Sequence, residues 1–239
     1  MVGKVSLTLL FQAMPRLWFT CLLLGLLGYA ETPPHLVIEG IPAITDELKQ
    51  ELTPYLNLGG ASFRGWHPTE RAVMVTTRVG NLPQLHVMSA PLGKRKPITH
   101  GNEPVKSGWS QPKGTHLLYQ EDVGGNESFQ LRLADFNNPQ SDSILITDGK
   151  SRNTDPVWSK DGKAIAWASN RRNGKDSDII VWRANQPNET PTVLQVTSPG
   201  WSPVEWFANG EDLLLRESLG QESTKLWRLH LATGEKQLL

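Results

Sequence analysis

The stretch from Pro156 to Ala184 reads PVWSKDGKAIAWASNRRNGKDSDIIVWRA, and its pattern decides the fold. Trp158 precedes a polar turn that ends in Gly162, and the short apolar run Ala164–Ala168 follows this turn. A polar loop then leads to a second apolar run, Ile179–Trp182. Short apolar runs between turn residues are typical of β-strands that are covered on both faces. We therefore expect a β-hairpin in which Gly162 takes the positive φ that a tight connection requires.

This pattern occurs four times along the chain. Each unit runs Trp, turn, apolar strand, polar turn, second apolar strand and short outer strand, and the units begin near Ser62, Pro104, Pro156 and Pro203. The aligned tryptophans, at spacings of 43, 49 and 48 residues, are Trp66, Trp109, Trp158 and Trp206. Such a period is typical of β-propeller blades. The sequence thus predicts an all-β fold of about four four-stranded blades over residues 62–239. The alternative, a two-sheet β-sandwich, would not require a Trp in every unit.

Composition and charge exclude several classes of protein. The 239 residues include 24 basic and 24 acidic side chains, and neither sign forms a block. A neutral chain lacks the basic surface on which nucleic-acid binding depends, so no nucleic acid is expected as a partner. The single cysteine, Cys21, excludes a framework of disulfides.

Residues 1–30 have the features of a secretory signal peptide. The apolar run Leu17–Leu27 follows a basic residue, and its helix would rise only about 16 Å, too little to cross a bilayer core of about 30 Å. Small residues before Glu31 predict cleavage after Ala30, hence a periplasmic or secreted protein without stable membrane insertion after cleavage. A buried N-terminal helix and a membrane anchor are the alternatives, and translation could start at Met1 or Met14.

A lead-in segment, residues 31–61, separates this leader from the repeats. Within it, the sequence Asp46–Leu58 places two leucines four residues apart, which predicts a short helical turn. We expect Pro54 to end that turn, because proline cannot donate a backbone hydrogen bond.

The sequence shows no pattern typical of a metal or cofactor site. The histidines, at positions 35, 67, 86, 100, 116 and 230, have neither HxH nor HExxH spacing, so neither a metal nor a cofactor is expected. Asp176-Ser177-Asp178 could imitate part of a calcium loop, but the remaining EF-hand pattern is missing and a solvated turn is expected. Arg171-Arg172 is likewise interpreted as part of a solvated loop.

Several segments resemble one known family. These are LLYQEDVGGNESFQLRLAD from Leu117, the stretch LITDGKSRNTDPVWSKDGKAIAWASNRRNGKDSDIIVW from Leu145, and the lead-in PYLNLGGASFRGWHP from Pro54. They resemble the propeller of bacterial prolyl oligopeptidase family serine peptidases, in the acylaminoacyl-peptidase-like branch, and the resemblance covers roughly Ile41 to Leu239. The Trp-Ser-x-Asp-Gly turn occurs in many propellers, including TolB-like ones. The runs Gly124–Leu131 and Thr147–Asn153 are more selective.

The resemblance implies a role for the propeller but no catalysis by this chain. In that family the propeller precedes an α/β-hydrolase domain and restricts entry to its active site, whose serine lies in a GxSxG motif. Three G-x-S triplets occur here, ending at Ser62, Ser110 and Ser202, and none has Gly two residues after the serine. We therefore expect no catalytic residue in this chain. Substrate-binding residues are not identified from the sequence.

The leading hypothesis is the substrate-gating propeller portion of an exported peptidase, which is inactive without its hydrolase domain. The sequence ends after the fourth unit, which suggests a truncated propeller, although a complete four-bladed ring is physically possible. The alternative is a stand-alone TolB-like periplasmic module. In both hypotheses a peptide substrate or protein partner binds the loop face of the propeller. A half-ring would expose the apolar faces of its first and last blades and favour self-association.

Overall fold

The computed structural model describes residues 37, 39–56, 59–80, 82–184, 186, 189–196 and 198–239. The chain divides into two units, residues 1–53 and residues 54–239. The predicted signal peptide, with Cys21 and the cleavage position after Ala30, lies outside the described residues. Within the described ranges, no helix is long and apolar enough to cross a membrane.

The lead-in segment contains helix α1 (Asp46–Leu56), and all of its side chains are at least partly accessible to solvent. The prediction that Pro54 ends the helix is wrong, because the helix continues to Leu56. Proline in the last turn removes only one backbone hydrogen bond of the helix. The residue before it, Thr53, donates its hydroxyl to the Lys49 carbonyl oxygen one turn earlier, at 2.7 Å, and supports this end of the helix.

Residues 61–238 form four separate four-stranded antiparallel sheets. The first sheet contains β1 (Ala61–Trp66), β2 (Val73–Arg78), β3 (Pro83–Met88) and β4 (Lys96–Pro97). The second contains β5 (Ser107–Ser110), β6 (His116–Glu121), β7 (Gln130–Asp135) and β8 (Ile144–Leu145). The third contains β9 (Asn153–Trp158), β10 (Ala164–Ser169), β11 (Asp178–Arg183) and β12 (Thr192–Leu194). The fourth contains β13 (Trp201–Trp206), β14 (Asp212–Ser218), β15 (Thr224–His230) and β16 (Lys236–Leu238).

Each sheet pairs its strands in chain order, and the first strands of neighbouring sheets lie close together. This arrangement confirms the predicted all-β fold of four-stranded blades. The strand predicted at Ala164–Ala168 is β10, and every residue of it is buried. The predicted tight turn before it is also present, with Gly162 at a φ of 73°.

The core is divided among the three junctions between neighbouring sheets. Adjacent residues of one strand enter different junctions because side chains alternate across a strand. Leu117, for example, packs between the first and second sheets, whereas Leu118 packs between the second and third. The sheets are therefore stacked face to face, and each inner sheet is covered on both sides.

The repeated tryptophans connect successive sheets. The indole nitrogen Nε1 of Trp158 donates to the carbonyl oxygen of Trp109 at 3.2 Å, and that of Trp206 donates to the carbonyl oxygen of Val157 at 3.2 Å. Each bond joins a first strand to the first strand of the preceding sheet. Trp66 belongs to the first sheet and is 68% exposed. The indoles of Trp158 and Trp206 thus lie at the junction with the preceding sheet, whereas Trp109 packs at the junction with the following sheet.

Candidate functional site

The two selective sequence runs, Gly124–Leu131 and Thr147–Asn153, lie against each other. The Gln130 side chain joins them: its Oε1 accepts from the Thr147 hydroxyl at 2.7 Å, and its Nε2 donates to the Ser151 carbonyl oxygen at 2.7 Å. Asn153 Nδ2 donates back to the Phe129 carbonyl oxygen at 2.9 Å. These contacts attach the third strand of the second sheet to the connection that leads into the third sheet.

Equivalent hydrogen bonds occur in the first sheet. There, the Thr99 hydroxyl donates to Gln84 Oε1 at 2.6 Å, and Gln84 Nε2 donates to the Glu103 carbonyl oxygen at 2.8 Å. Because the same bonds hold each of these connections, the selective runs have a structural role in positioning successive blades. Several of their side chains are used in these internal contacts. The exposed charged residues of the two runs are Asp148, which accepts from the Ser151 hydroxyl, Lys150, and the pair formed by Arg152 and Glu127.

These two residues form part of a polar surface beside the second and third sheets. Arg152 Nη1 lies 2.8 Å from Glu127 Oε2, and the guanidinium carbon of Arg152 is 5.2 Å from the centre of the Phe129 ring. The backbone nitrogen of Arg152 donates to Asn170 Oδ1 at 2.9 Å. The ion pair satisfies the charges of both partners, so this surface has no free charge at Arg152.

The prediction of a solvated turn at Asp176-Ser177-Asp178 is wrong for Asp178, because the exposed fraction of this residue is 0%. Its carboxylate lies 2.7 Å from Arg172 Nε and accepts from the backbone nitrogen of Val196 at 3.0 Å. Arg172 also pairs with Asp176 at 3.0 Å. A buried carboxylate is stable only when it is paired and hydrogen-bonded, and here Arg172 provides the pairing. The cluster therefore supports the third sheet and does not form part of a calcium loop.

A groove of about 380 Å³ lies between the first and second sheets. Two contacts join polar groups of its lining: Arg132 Nε lies 2.5 Å from Glu121 Oε1, and the hydroxyl of Tyr119 lies 2.7 Å from that of Ser143. Burial raises the pKa of Tyr119, so this phenol stays neutral well above physiological pH.

A second cleft, of about 410 Å³, lies where the turns between the first and second strands of the third and fourth sheets meet. We call this surface the basic cleft; its cationic lining residues are Lys113, Lys160, Lys163 and Arg183. Phe207, which is half-buried, supplies aromatic surface to it, and the buried Trp206 lies beneath. Lys160 pairs with Glu205 at 3.1 Å, and Lys163 lies 3.7 Å from Asp161.

The other two cations of the basic cleft are not neutralised. Within the described part of the chain, neither Lys113 nor Arg183 has a carboxylate at ion-pair distance. A concave surface with unpaired cations attracts anions. Sequence reasoning missed this cleft because its residues come from three different repeats and form no motif. One signal was present: the turn glycine comes five residues after the tryptophan in the second unit but four residues after it in the third and fourth units.

The three candidate serines are not brought into a catalytic arrangement. Ser62 is exposed on β1, whereas the Ser110 hydroxyl donates to the Trp66 carbonyl oxygen at 2.9 Å. Ser202 is buried in β13. His230 Nδ1 lies 2.7 Å from Asp212 Oδ1, as in a catalytic dyad, but no serine hydroxyl of the described chain hydrogen-bonds to this ring. Neither do the described histidines and carboxylates form a cluster that could hold a metal ion.

Comparisons with known proteins agree with this architecture. No protein-family model matches the chain. Over 116 residues the chain is 29% identical to the "Uncharacterized peptidase YuxL" of Bacillus subtilis (strain 168), an alignment that covers 46% of this chain and 17% of that protein.

Solved structures show the same fold at lower identity. TolB from Acinetobacter baumannii superposes with a TM-score of 0.56 at 17% identity, covering 76% of this chain and 43% of that one. A structure from an analysis of two prolyl endopeptidases superposes with a TM-score of 0.56 at 11% identity, and the superposition covers 81% of this chain and 35% of that one. The chain therefore spans less than half the length of each of these relatives. Its fold is similar both to TolB and to the propellers of prolyl peptidases.

Proposed function

We propose that this chain is the substrate-gating β-propeller portion of an exported prolyl oligopeptidase family serine peptidase. The observation that carries the proposal is the 29% identity over 116 residues to a Bacillus peptidase. The similarity to a prolyl endopeptidase structure is consistent with it. In this role the propeller admits peptides along its loop face and presents them to a hydrolase domain.

The contacts between blades suit such a role. A gate must keep its shape while substrates pass, and the bonds of Gln84, Gln130 and the repeated tryptophans attach each sheet to the next. These bonds are buried or half-buried, where a hydrogen bond is stronger than at the surface. The turns and connections at the edges of the sheets remain free to contact a peptide.

Inactivity of the chain alone is the second part of the proposal. It is supported by the use of Ser110 in a bond to the backbone and by the burial of Ser202. We expect the purified chain to hydrolyse neither acylated nor free peptide p-nitroanilides. This part of the proposal would be overturned if the native chain hydrolysed such a substrate and one of the variants Ser62→Ala, Ser110→Ala or Ser202→Ala did not.

Sequencing the genomic locus for about 1.5 kilobases beyond codon 239 tests the family assignment, since this length accommodates further blades and one hydrolase domain. Further propeller repeats followed by a GxSxG motif, in frame or one shift away, would support the peptidase proposal. An unrelated gene at that place would contradict it.

The similarity to TolB favours a second candidate, a periplasmic propeller that binds a protein or peptide partner without any hydrolase domain. Both candidates require export. N-terminal sequencing of the chain recovered from a periplasmic extract is expected to begin at Glu31, the residue after the predicted cleavage position. A chain recovered from the cytoplasm with residues 1–30 intact would contradict export.

A further inference from the structure

We infer that the basic cleft is a binding site for the carboxylate of a peptide, with Lys113 and Arg183 as its anion-binding groups. The inference deepens the proposed function and rests on it, because it takes a peptide as the ligand. It depends on three features of the structure: unpaired cations, a strained backbone at Lys113, and a turn that is held rigidly in that conformation.

The charge of the cleft is the first feature. Four cationic side chains line it, and two of them, Lys160 and Lys163, have carboxylates nearby. Lys113 and Arg183 have none within ion-pair distance among the described residues. Arginine presents a planar set of donors that matches a carboxylate, and lysine adds a second positive charge. A carboxylate in this cleft would neutralise charges that the chain itself leaves unpaired.

The backbone at Lys113 is the second feature. Lys113 has a φ of 57°, in the left-handed region that glycine adopts without strain. The structurally equivalent residues of the third and fourth turns are Asp161 and Asn209, because Gly114, Gly162 and Gly210 each donate to the residue three positions earlier, at the start of the turn. Neither Asp161 nor Asn209 has a positive φ. The second turn thus has a backbone of its own, in which a lysine is less stable than a glycine would be. Functional sites are among the places where such a cost is retained for the sake of a side chain.

The anchoring of the turn is the third feature. Gln111 Nε2 donates to the Gly162 carbonyl oxygen at 2.7 Å, which fixes the turn of the second sheet against that of the third. Gln111 Oε1 also accepts from the backbone nitrogen of His116 at 3.2 Å. The Pro112 carbonyl oxygen lies so close to Gly162 that a Cβ there would approach it to 2.1 Å. Lys113 thus projects from a fixed turn, which reduces the entropy lost when it binds a ligand.

The aromatic residues define the kind of ligand. Phe207 is half-buried and Trp206 is buried beneath the cleft. Apolar surface beside cations suits an organic carboxylate that carries a side chain better than it suits a small hydrated ion. We therefore assign the site to the C-terminal carboxylate of a peptide.

The test measures binding of fluorescein-labelled Gly-Ala-Ala-Phe with a free carboxylate and with a C-terminal carboxamide, by fluorescence anisotropy on the complete chain. We expect the native chain to bind the free acid about tenfold more tightly than the amide, the size of one charge-assisted hydrogen-bonding contact. Added NaCl is expected to reduce this preference, since salt screens the charges of an exposed cleft.

Lys113→Gly separates a structural role of this residue from a binding role. The variant is expected to raise the melting temperature, because the left-handed strain is removed, and to abolish the preference for the free acid. Leu92→Gly is the matched control: Leu92 also has a φ of 57° and is fully exposed in the connection between β3 and β4. It should raise the melting temperature similarly and leave the preference unchanged. Lys113→Asn tests the charge alone, since asparagine tolerates the left-handed region.

Three outcomes would overturn the inference. Equal affinity of the native chain for the acid and the amide excludes a carboxylate site, while leaving the peptide-gating proposal intact. Retention of the preference in both Lys113→Gly and Lys113→Asn removes Lys113 from the site. Displacement of the peptide by inorganic phosphate at constant ionic strength, with the same potency as by a free-acid competitor peptide, shows a general anion site instead of a peptide site. The sequence of the genomic locus remains a separate test of the peptidase proposal.

Discussion

Trp66 and Trp206 occupy the same position in the first and fourth repeats, yet their surroundings differ completely. Trp206 is 2% exposed, and its indole nitrogen donates to the carbonyl oxygen of Val157 in the preceding sheet. Trp66 is 68% exposed, and the ring of Phe63 lies against it at 5.8 Å between ring centres. The residue and its position in the repeat are the same. The difference is the preceding sheet, which Trp206 has and Trp66 lacks among the described residues.

The outer face of the fourth sheet differs from the inner junctions and from the outer face of the first sheet. At the inner junctions, the residue paired across from Leu118 is Leu133 and the residue paired across from Ala166 is Val181. In the fourth sheet the residue equivalent to Leu133 and Val181 is Arg228. Arg228 pairs with Asp212, and its guanidinium carbon lies 4.9 Å from the centre of the Phe207 ring. The expectation of an apolar outer face therefore holds for the first sheet at Phe63 and Trp66. At the fourth sheet this position carries an ion pair, and Leu226 is exposed on the same strand.

The largest effect is expected for substitution of the buried tryptophan. Trp206→Ala should lower the free energy of unfolding by about 3–5 kcal/mol, because it leaves a cavity at the junction of the third and fourth sheets. Trp66→Ala should lower it by less than about 1 kcal/mol, as for other exposed side chains. Urea unfolding followed by circular dichroism measures both. Equal losses in the two variants would contradict the view that the preceding sheet determines the contribution of this residue.

Two glycines test the same contrast, between a position that contacts the preceding sheet and one that does not, at the level of the backbone. Gly162→Ala should cost about 3 kcal/mol, because the residue has a positive φ and its Cβ would meet the Pro112 carbonyl oxygen of the neighbouring sheet. Gly210→Ala should cost only about 1 kcal/mol, since it has a similar φ but no atom within 4 Å of its added Cβ. The same urea titrations compare them. If the two losses are equal, contact between neighbouring turns does not stabilise the stack of sheets.

The fold could be predicted from the sequence because a propeller repeats its local physics. The tryptophan, the turn glycine and the apolar run recur in every unit or nearly so, and each position has a local reason in strand and turn chemistry. Burial depends on neighbours that may come from another unit, so the exposure of Trp66 and the burial of Asp178 were not evident. For Asp178, the deciding partner is Arg172, and its pairing depends on how the intervening loop folds.

The basic cleft was not predicted for a similar reason. Lys113, Lys160 and Arg183 lie in the turns and strand ends of different sheets, and only the stacking of those sheets brings them together. No spacing along the chain encodes such a surface. The comparison of repeats with one another would have singled out the turn that contains Lys113, since its glycine lies one residue further from the tryptophan than in the third and fourth units. The departure of one repeat from the others was thus the available signal.

The polar outer face of the fourth sheet predicts a particular response to acid. Hydrogen bonds from Asn209, His230 and Arg228 lower the pKa of Asp212 to about 2, compared with about 3.9 in an unfolded chain. This carboxylate therefore contributes stability above about pH 4, and the contribution is lost as the pH falls from about 4 to about 2. Asp212→Asn should be less stable than the native chain at pH 7, and the difference should shrink at pH 2. Urea unfolding at the two pH values measures it, and a difference that is constant with pH would contradict this origin.

The smallest change in stability, and a clear change in association, is expected at the outer face of the first sheet. Phe63→Ser combined with Trp66→Ser should alter the free energy of unfolding by less than about 1 kcal/mol, since both rings are exposed. Exposed aromatic surface favours contact between molecules, so sedimentation velocity should show less self-association for the double variant than for the native chain. Leu226→Ser is the matched control on the fourth sheet, where Leu226 is 43% exposed. Its neighbours there, Arg216 and Arg228, are charged and keep that face hydrated, so this variant should associate as the native chain does. If Leu226→Ser reduces association as much as the double variant, the two outer faces do not differ in the way that their side chains indicate.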